Sequence, residues 1–199
     1  MRAQAPRVIA GAQRGRRLTV PRGASIRPTS DRVKESIFGI LTPYVPDSRF
    51  VDVCAGIGSI GIEALSRGAR EAVFIESASP CITAILANLT ALGLLDRAVV
   101  RQGDALKQLD WLLATQRDPV DILFADPPYA TSLARRILAW VAANPLVLRA
   151  GGLAVFEWRE PVVPEGEEDI RAAPGKTLAL VTTRRYGDKC LTILAREEV

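Results

Sequence analysis

Asp52-Val53-Cys54-Ala55-Gly56-Ile57-Gly58-Ser59-Ile60-Gly61 decides the fold of this 199-residue chain. The stretch leaves a short apolar strand, Phe50-Val51-Asp52-Val53, and runs into a helix that the spacing predicts from Ile60 to Ser66. Read literally it is G-x-G-x-x-G, the turn in which glycines let a cofactor approach the backbone at a helix N-terminus. A glycine turn packed for purely structural reasons has the same letters, so the residues around it decide between the two. Asp52 stands four positions before Gly56. A carboxylate there repels a pyrophosphate and suits a cationic amine or sulfonium, which favours S-adenosylmethionine over a nicotinamide dinucleotide.

Outward from that turn, strands and helices alternate. Ala72-Val73-Phe74-Ile75-Glu76 is predicted as the second strand. Ser79 is read as N-cap and Pro80 as first residue of a helix with an apolar face of Ile82, Ile85, Leu86, Leu89 and Leu92, stopped by Gly93. Ala98-Val99-Val100, a helix over 105–115, Asp121-Ile122-Leu123-Phe124-Ala125, a helix over about 131–143, and Gly152-Leu153-Ala154-Val155-Phe156-Glu157 continue the series. The expected fold is α/β: a Rossmann-like, doubly wound, mostly parallel sheet. Leu178-Ala179-Leu180-Val181 and Leu191-Thr192-Ile193-Leu194, with no helix between them, form an antiparallel hairpin at its edge and bring the sheet to seven strands. Residues 161–174, rich in Pro, Gly and Glu, are read as a surface loop.

Strand ends then supply candidate site residues. Glu76, ending the second strand, is placed to accept the two ribose hydroxyls of a nucleoside. Asp104 either takes an adenine amino group or simply caps the following helix. Asp126-Pro127-Pro128-Tyr129 ends the fourth strand. Two successive prolines fix φ and donate no hydrogen bond, so the loop is rigid and presents acceptors. The Asp126 carboxylate and the Pro127 carbonyl suit the two N–H bonds of a planar amino group, and Tyr129 suits stacking on its base. Held so, a nitrogen lone pair aims at a methyl donor for in-line displacement.

Charge is divided unevenly. The chain has 26 Lys+Arg against 22 Asp+Glu and no histidine. That absence removes Ser-His-Asp and Cys-His chemistry and His-ligated metals, so no metal cofactor is expected. Residues 1–34 hold nine basic residues and one acid, while the remainder holds 17 bases and 21 acids. A basic arm on a mildly acidic body fits a polyanion partner, or else a solubilising tail. Within it, Arg7-Val8-Ile9-Ala10-Gly11 and Arg16-Arg17-Leu18-Thr19-Val20 read as a small β-hairpin, and Thr29 or Ser30 caps a helix with the stripe Val33, Ile37, Ile40 and Leu41. Domain boundaries are placed at 1–48, a basic extension, and 49–199, the α/β domain. Cys54, Cys81 and Cys190 read as reduced thiols of a cytoplasmic protein. No apolar run reaches the roughly 18 residues of a membrane span.

Taken together, these residues resemble the class I S-adenosylmethionine-dependent methyltransferases of exocyclic amines, and among them the bacterial small-subunit methyltransferase D family. The likeness covers Gly11 with Arg14-Gly15-Arg16-Arg17-Leu18, Arg27-Pro28-Thr29-Ser30-Asp31-Arg32-Val33-Lys34-Glu35 with Ile37-Phe38, and Asp52 to Gly58. It continues over Glu63-Ala64-Leu65-Ser66-Arg67-Gly68-Ala69, Glu76, Asn88-Leu89, Asp126 to Tyr129, Gly151-Gly152 with Glu157, and Tyr186-Gly187-Asp188. It implies transfer of a methyl group to N2 of one guanine in 16S ribosomal RNA, with the small subunit as partner and a monomeric enzyme. It implies S-adenosylmethionine at Asp52, Ala55, Gly56, Gly58, Glu76 and Asp104, catalysis at Asp126, Pro127 and Tyr129, and RNA on Arg14, Arg16, Arg17, Arg27 and Arg32. Ile57 and Gly39 depart from the family's usual small residue and Asn; the first is expected to tighten the cofactor pocket. The competing readings are another amine methyltransferase, of DNA adenine N6 above all, and a non-catalytic RNA-binding assembly factor.

Overall fold

Seven strands form one sheet in the order β3-β2-β1-β4-β5-β7-β6 of the computed structural model, which describes residues 6–21, 30–115, 118–128, 132–159, 178–187 and 189–197. The elements run α1 (Asp31–Leu41), β1 (Arg49–Val53), α2 (Ser59–Ser66), β2 (Glu71–Glu76), α3 (Ser79–Leu92), β3 (Ala98–Gln102), α4 (Ala105–Thr115), β4 (Val120–Ala125), α5 (Leu133–Ala143), β5 (Leu148–Arg159), β6 (Leu178–Tyr186) and β7 (Lys189–Arg196). β1 to β5 pair in parallel, while β7 lies antiparallel between β5 and β6. The expected doubly wound sheet with its C-terminal hairpin is the observed one. Tyr129, Arg27, Thr29 and the 161–174 segment lie outside the described residues.

The parallel strands read as near-continuous apolar runs because both faces are covered. Phe50, Phe74, Phe124, Val155 and Ile193 face one layer; Val51, Val53, Val73, Leu123, Ala154 and Phe156 face the other. The first layer holds α2 and α3 and also takes Val8, Leu18, Ile37, Phe38 and Leu41 from the N-terminal segment. The basic segment is therefore packed into the same core as the glycine turn.

Several local expectations change. The N-terminal hairpin shrinks to a single bridge, Arg7 to Arg17, with Val8 N–H to Arg16 O at 2.9 Å and Leu18 N–H to Pro6 O at 2.8 Å. Gly15 N–H returns to Val8 O at 2.9 Å, and Ala12 N–H goes to Ser66 O at 2.8 Å. Other backbone donors go to side chains of the body: Ile9 and Ala10 N–H to Glu63, Gln13 N–H to Ser66 Oγ, and Thr19 N–H to Asn88 Oδ1. Gly11 makes this docking possible, since a Cβ there would meet Ser66 O at 1.8 Å. The N-cap of α3 is Ala78, not Ser79, and no side chain caps that helix. Its inward face is also rotated: Cys81, Ala84, Ile85, Asn88, Leu89 and Leu92 are buried while Leu86 is 40% exposed. Asn88 turns inward because its amide has three backbone partners there. The last three strands are longer than expected: β5 spans Leu148–Arg159 against an expected 152–157, β6 Leu178–Tyr186 against 178–181, and β7 Lys189–Arg196 against 191–194. Of Thr29 and Ser30, Ser30 caps α1 by accepting from Val33 N–H.

Candidate active site

Strand order reverses between β1 and β4, and in open α/β sheets ligands bind outside the carboxyl ends of strands at such a point. The glycine turn leaves β1 there and Asp126 leaves β4 there. Cys54 and Gly56 take positive φ, 62° and 56°, and Gly58 takes 79° as the N-cap of α2. The backbone thus reverses sharply within five residues. The glycines do different work. A Cβ on Gly61 would come within 2.3 Å of the Phe74 ring, and one on Gly58 within 3.2 Å of Ile85 and Phe74, so both lie against the core. A Cβ on Gly56 would meet nothing within 4 Å. Gly56 therefore faces open space, as a ligand-facing glycine must. Ile57 points the other way and is 2% exposed in the first core layer. Contrary to expectation, its bulk fills core instead of tightening a pocket.

The acidic residues come together around this turn. Asp52 is buried on β1, and its Oδ2 accepts from Gly61 N–H at 2.9 Å. Burial pushes its carboxyl up to about 7 against the pull of that hydrogen bond. Glu76 bridges two loops: Oε2 accepts from Gly56 N–H at 2.8 Å, and Oε1 accepts from Ser77 and Ala78 N–H at 2.8 and 2.9 Å. Asp104 caps α4, with Oδ1 accepting from Leu106 and Lys107 N–H at 3.1 Å each. Of the two roles read for Asp104, the cap is thus present. Cys54 lies amid these groups. Burial first, and then the charges of Glu76, Asp126, Asp52 and Asp104, push its thiol up to about 12.

Asp126 follows β4, its N–H donating to Val53 O at 3.3 Å, and Pro127 behind it is buried. Side-chain parity places Asp126 on the same sheet face as Phe124, and Glu157 on the same face as Val155. Burial pushes the Asp126 carboxyl up to about 8; the Glu157 charge adds to the rise and the Lys189 ammonium opposes it. Glu157, 1% exposed, pairs with Lys189 of β7. Sequence reasoning gave neither residue a role. The available signal was a lone acid ending the apolar run from Gly152 to Phe156.

Four of the five arginines read as RNA-binding are described, and all are exposed. Arg16 also donates to Ala91 O at 2.8 Å. Beneath the arm a buried polar hub ties it to α2. Glu63 Oε2 and Oε1 accept from Ile9 and Ala10 N–H at 2.8 and 2.9 Å, Arg67 donates to Oε1 at 2.8 Å, and Lys34 Nζ lies 3.6 Å from Oε2. Burial lowers the Lys34 pKa, and the Glu63 charge opposes the fall. No group of three or more metal-ligating side chains occurs among the described residues, and no described helix is long and apolar enough to cross a membrane.

The strand order, the glycine turn after β1 and the acid ending β2 define a class I methyltransferase fold. Within that class, the family model described as "Conserved hypothetical protein 95" matches residues 6–195, and the chain belongs to this family, the small-subunit methyltransferase D family. The chain is 37% identical over 183 residues to the Ribosomal RNA small subunit methyltransferase D of Haemophilus influenzae, covering 90% of this chain and 92% of the relative. It is 35% identical over 147 residues to the protein of that name from Escherichia coli, 71% and 72% of the two chains. Among solved structures, Escherichia coli yhhF superposes with a TM-score of 0.79 at 29% identity over 98% of this chain and 99% of that one. Thermus thermophilus TTHA0928 does so at 0.76 and 31% identity, over 97% and 99%.

Proposed function

We propose that this protein transfers a methyl group from S-adenosylmethionine to the exocyclic N2 amino group of a guanine in 16S ribosomal RNA. The observation that carries the reading is Asp126, delivered by β4 opposite the glycine turn of β1, with a buried proline behind it. The names of the relatives support RNA of the small subunit as the substrate.

The site fits the cofactor on its own chemistry. Gly56 leaves open space where a ligand backbone contact belongs, and Asp52, Glu76 and Asp126 form a field that favours a cation. Asp52, Ala55, Gly56 and Gly58 would hold the amino-acid end, Glu76 the ribose hydroxyls, and Asp104 the adenine amino group through the oxygen its cap leaves. When bound, the cofactor supplies an activated methyl group on a sulfonium.

The protein's residues then position and deprotonate. The Asp126 carboxylate and the Pro127 carbonyl accept the two N–H bonds of the guanine amino group, while Tyr129 stacks on the base. Orientation of this kind supplies much of a rate enhancement. A carboxyl pushed up to about 8 is also matched near neutrality to take the proton that the amine gives up. Glu157 and Lys189 act through Asp126: the first raises its proton affinity and the second restrains that rise.

Residues 1–48 are the RNA-docking part in this reading, and the enzyme works as a cytoplasmic monomer on the small subunit. Incubated with labelled S-adenosylmethionine, the protein is expected to label unmodified small subunits or naked 16S RNA, with the label recovered as N2-methylguanosine. Label in duplex DNA alone, or no transfer at all, overturns the proposal. Replacing Arg14, Arg16 and Arg17 together with alanine is expected to weaken RNA binding and to flatten its salt dependence, by about one slope unit for each phosphate the arginines neutralise. An unchanged slope in titrations at several salt concentrations means that the arm does not meet phosphate.

A further inference from the structure

Asn88 joins the two halves of this site through one side chain. It lies on α3, 3% exposed, and its amide is fully engaged. Oδ1 accepts from Thr19 N–H at 2.7 Å; Nδ2 donates to Thr19 O at 3.2 Å and to Ile57 O at 3.3 Å. The partners fix the orientation of the amide, because one N–H faces one end and two carbonyls face the other. Thr19 belongs to the basic arm. Ile57 is the middle residue of Gly56-Ile57-Gly58, whose two glycines take positive φ and confer little stiffness of their own.

We infer that Asn88 is a positioning residue for the cofactor: it holds the Ile57 carbonyl, and with it the glycine turn, in register, and it is itself held by the arm. The arm is then a structural part of the cofactor site as well as a docking element. Asn88 acts by restricting motion. The Ile57 side chain is locked in the core, so the Asn88 bond to its carbonyl leaves the peptide between Ile57 and Gly58 little freedom to rotate. Without that bond, the turn must be ordered when a ligand binds, and affinity falls. Removing the Thr19 N–H has a smaller effect in the same direction, because it frees the amide that does the holding.

This inference rests on the cofactor part of the reading above, and two measurements separate their failures. The first needs no cofactor. Hydrogen exchange of the 56–61 amides in the ligand-free protein is expected to speed up about tenfold in Asn88→Ala and several-fold in Thr19→Pro. Ser66→Ala is the control. It releases the arm at Gln13 N–H and Ala10 O, where Ser66 Oγ bonds both, without touching Ile57, and exchange in the turn is expected to stay at the wild-type rate. The second is calorimetric titration with S-adenosylhomocysteine. Kd is expected to rise about tenfold in Asn88→Ala and about threefold in Thr19→Pro, and to stay within twofold in Ser66→Ala. In turnover, the KM for S-adenosylmethionine rises while kcat at saturation holds. Wild-type exchange in the turn of Asn88→Ala, or equal acceleration in Ser66→Ala, overturns the inference. Should Asn88→Ala fail to fold, Thr19→Pro decides by the same criteria. Accelerated exchange in a protein whose wild type binds no S-adenosylhomocysteine leaves the tether standing and overturns its purpose and the cofactor reading together.

Discussion

Asp126→Ala lowers kcat for methyl transfer by about a thousandfold or more, the scale of losing a preorganised polar group that contacts the reacting centre. Binding of S-adenosylhomocysteine changes by less than about threefold, because in the proposed function the Asp126 side chain belongs to the amine clamp and the cofactor would be held from β1, β2 and β3. Stability moves the other way, and the sign follows from the proton balance. The ordinary carboxyl value is 3.8 and the folded value is about 8, so between those limits the folded protein keeps a proton that the unfolded chain has lost. Stability of the wild type therefore falls as pH rises through that window and levels above it. Asp52, pushed up to about 7, adds a decline of the same sign. Thermal denaturation at pH 5 and pH 8 checks this: Asp126→Ala narrows the gap between the two midpoints. The wild-type kcat/KM rises with pH, by up to about tenfold per unit, and levels above about pH 8, where the carboxylate predominates. A variant that retains full kcat removes the clamp mechanism.

The second large effect is on folding. Glu63 and Lys34 are both fully buried. Glu63→Ala takes the counter-charge from the buried Lys34 ammonium, which keeps only its bond to the Arg7 carbonyl, and removes the acceptor of the Ile9 and Ala10 N–H groups; breaking a buried pair from one side costs about 3–5 kcal/mol. For a chain of this length that corresponds to a fall of roughly 10 °C in the thermal midpoint. Lys34→Met combined with Glu63→Gln recovers part of the loss, because the buried charge without a counter-charge is then gone. Proteolysis of the arm is expected to accelerate in Glu63→Ala and to return toward the wild-type rate in the double variant. A midpoint within about 2 °C of wild type shows that the hub contributes little.

Much of this architecture is legible in the chain, and the reasons are local. The runs around Val51, Val73 and Leu123 are apolar without alternation because helices cover both faces, and Gly56 and Gly58 punctuate the turn between strand and helix. Asp126-Pro127-Pro128 announces its rigidity in its own letters. The N-terminal hairpin is shorter than its strand pattern suggests, because such a pattern says nothing about competing partners; Glu63, Ser66 and Asn88 take hydrogen bonds that a second strand would use. Leu86 and Asn88 exchange their expected environments for the same reason, since three backbone groups await Asn88 inside. Glu157 and Lys189 lie 32 residues apart and meet only because β7 enters between β5 and β6. No spacing rule brings them together.

Cys54, placed among four acidic side chains, bears on the selectivity of the chemistry. Thiolates are stronger nucleophiles than amines, and one beside an activated methyl group would capture it and end the enzyme's working life. Burial first, and then the surrounding acids, push the Cys54 thiol up to about 12, so it is held as the weakly nucleophilic thiol at neutral pH. Burial, together with the acidic lining that would seat a sulfonium, thus also guards the protein against alkylating itself.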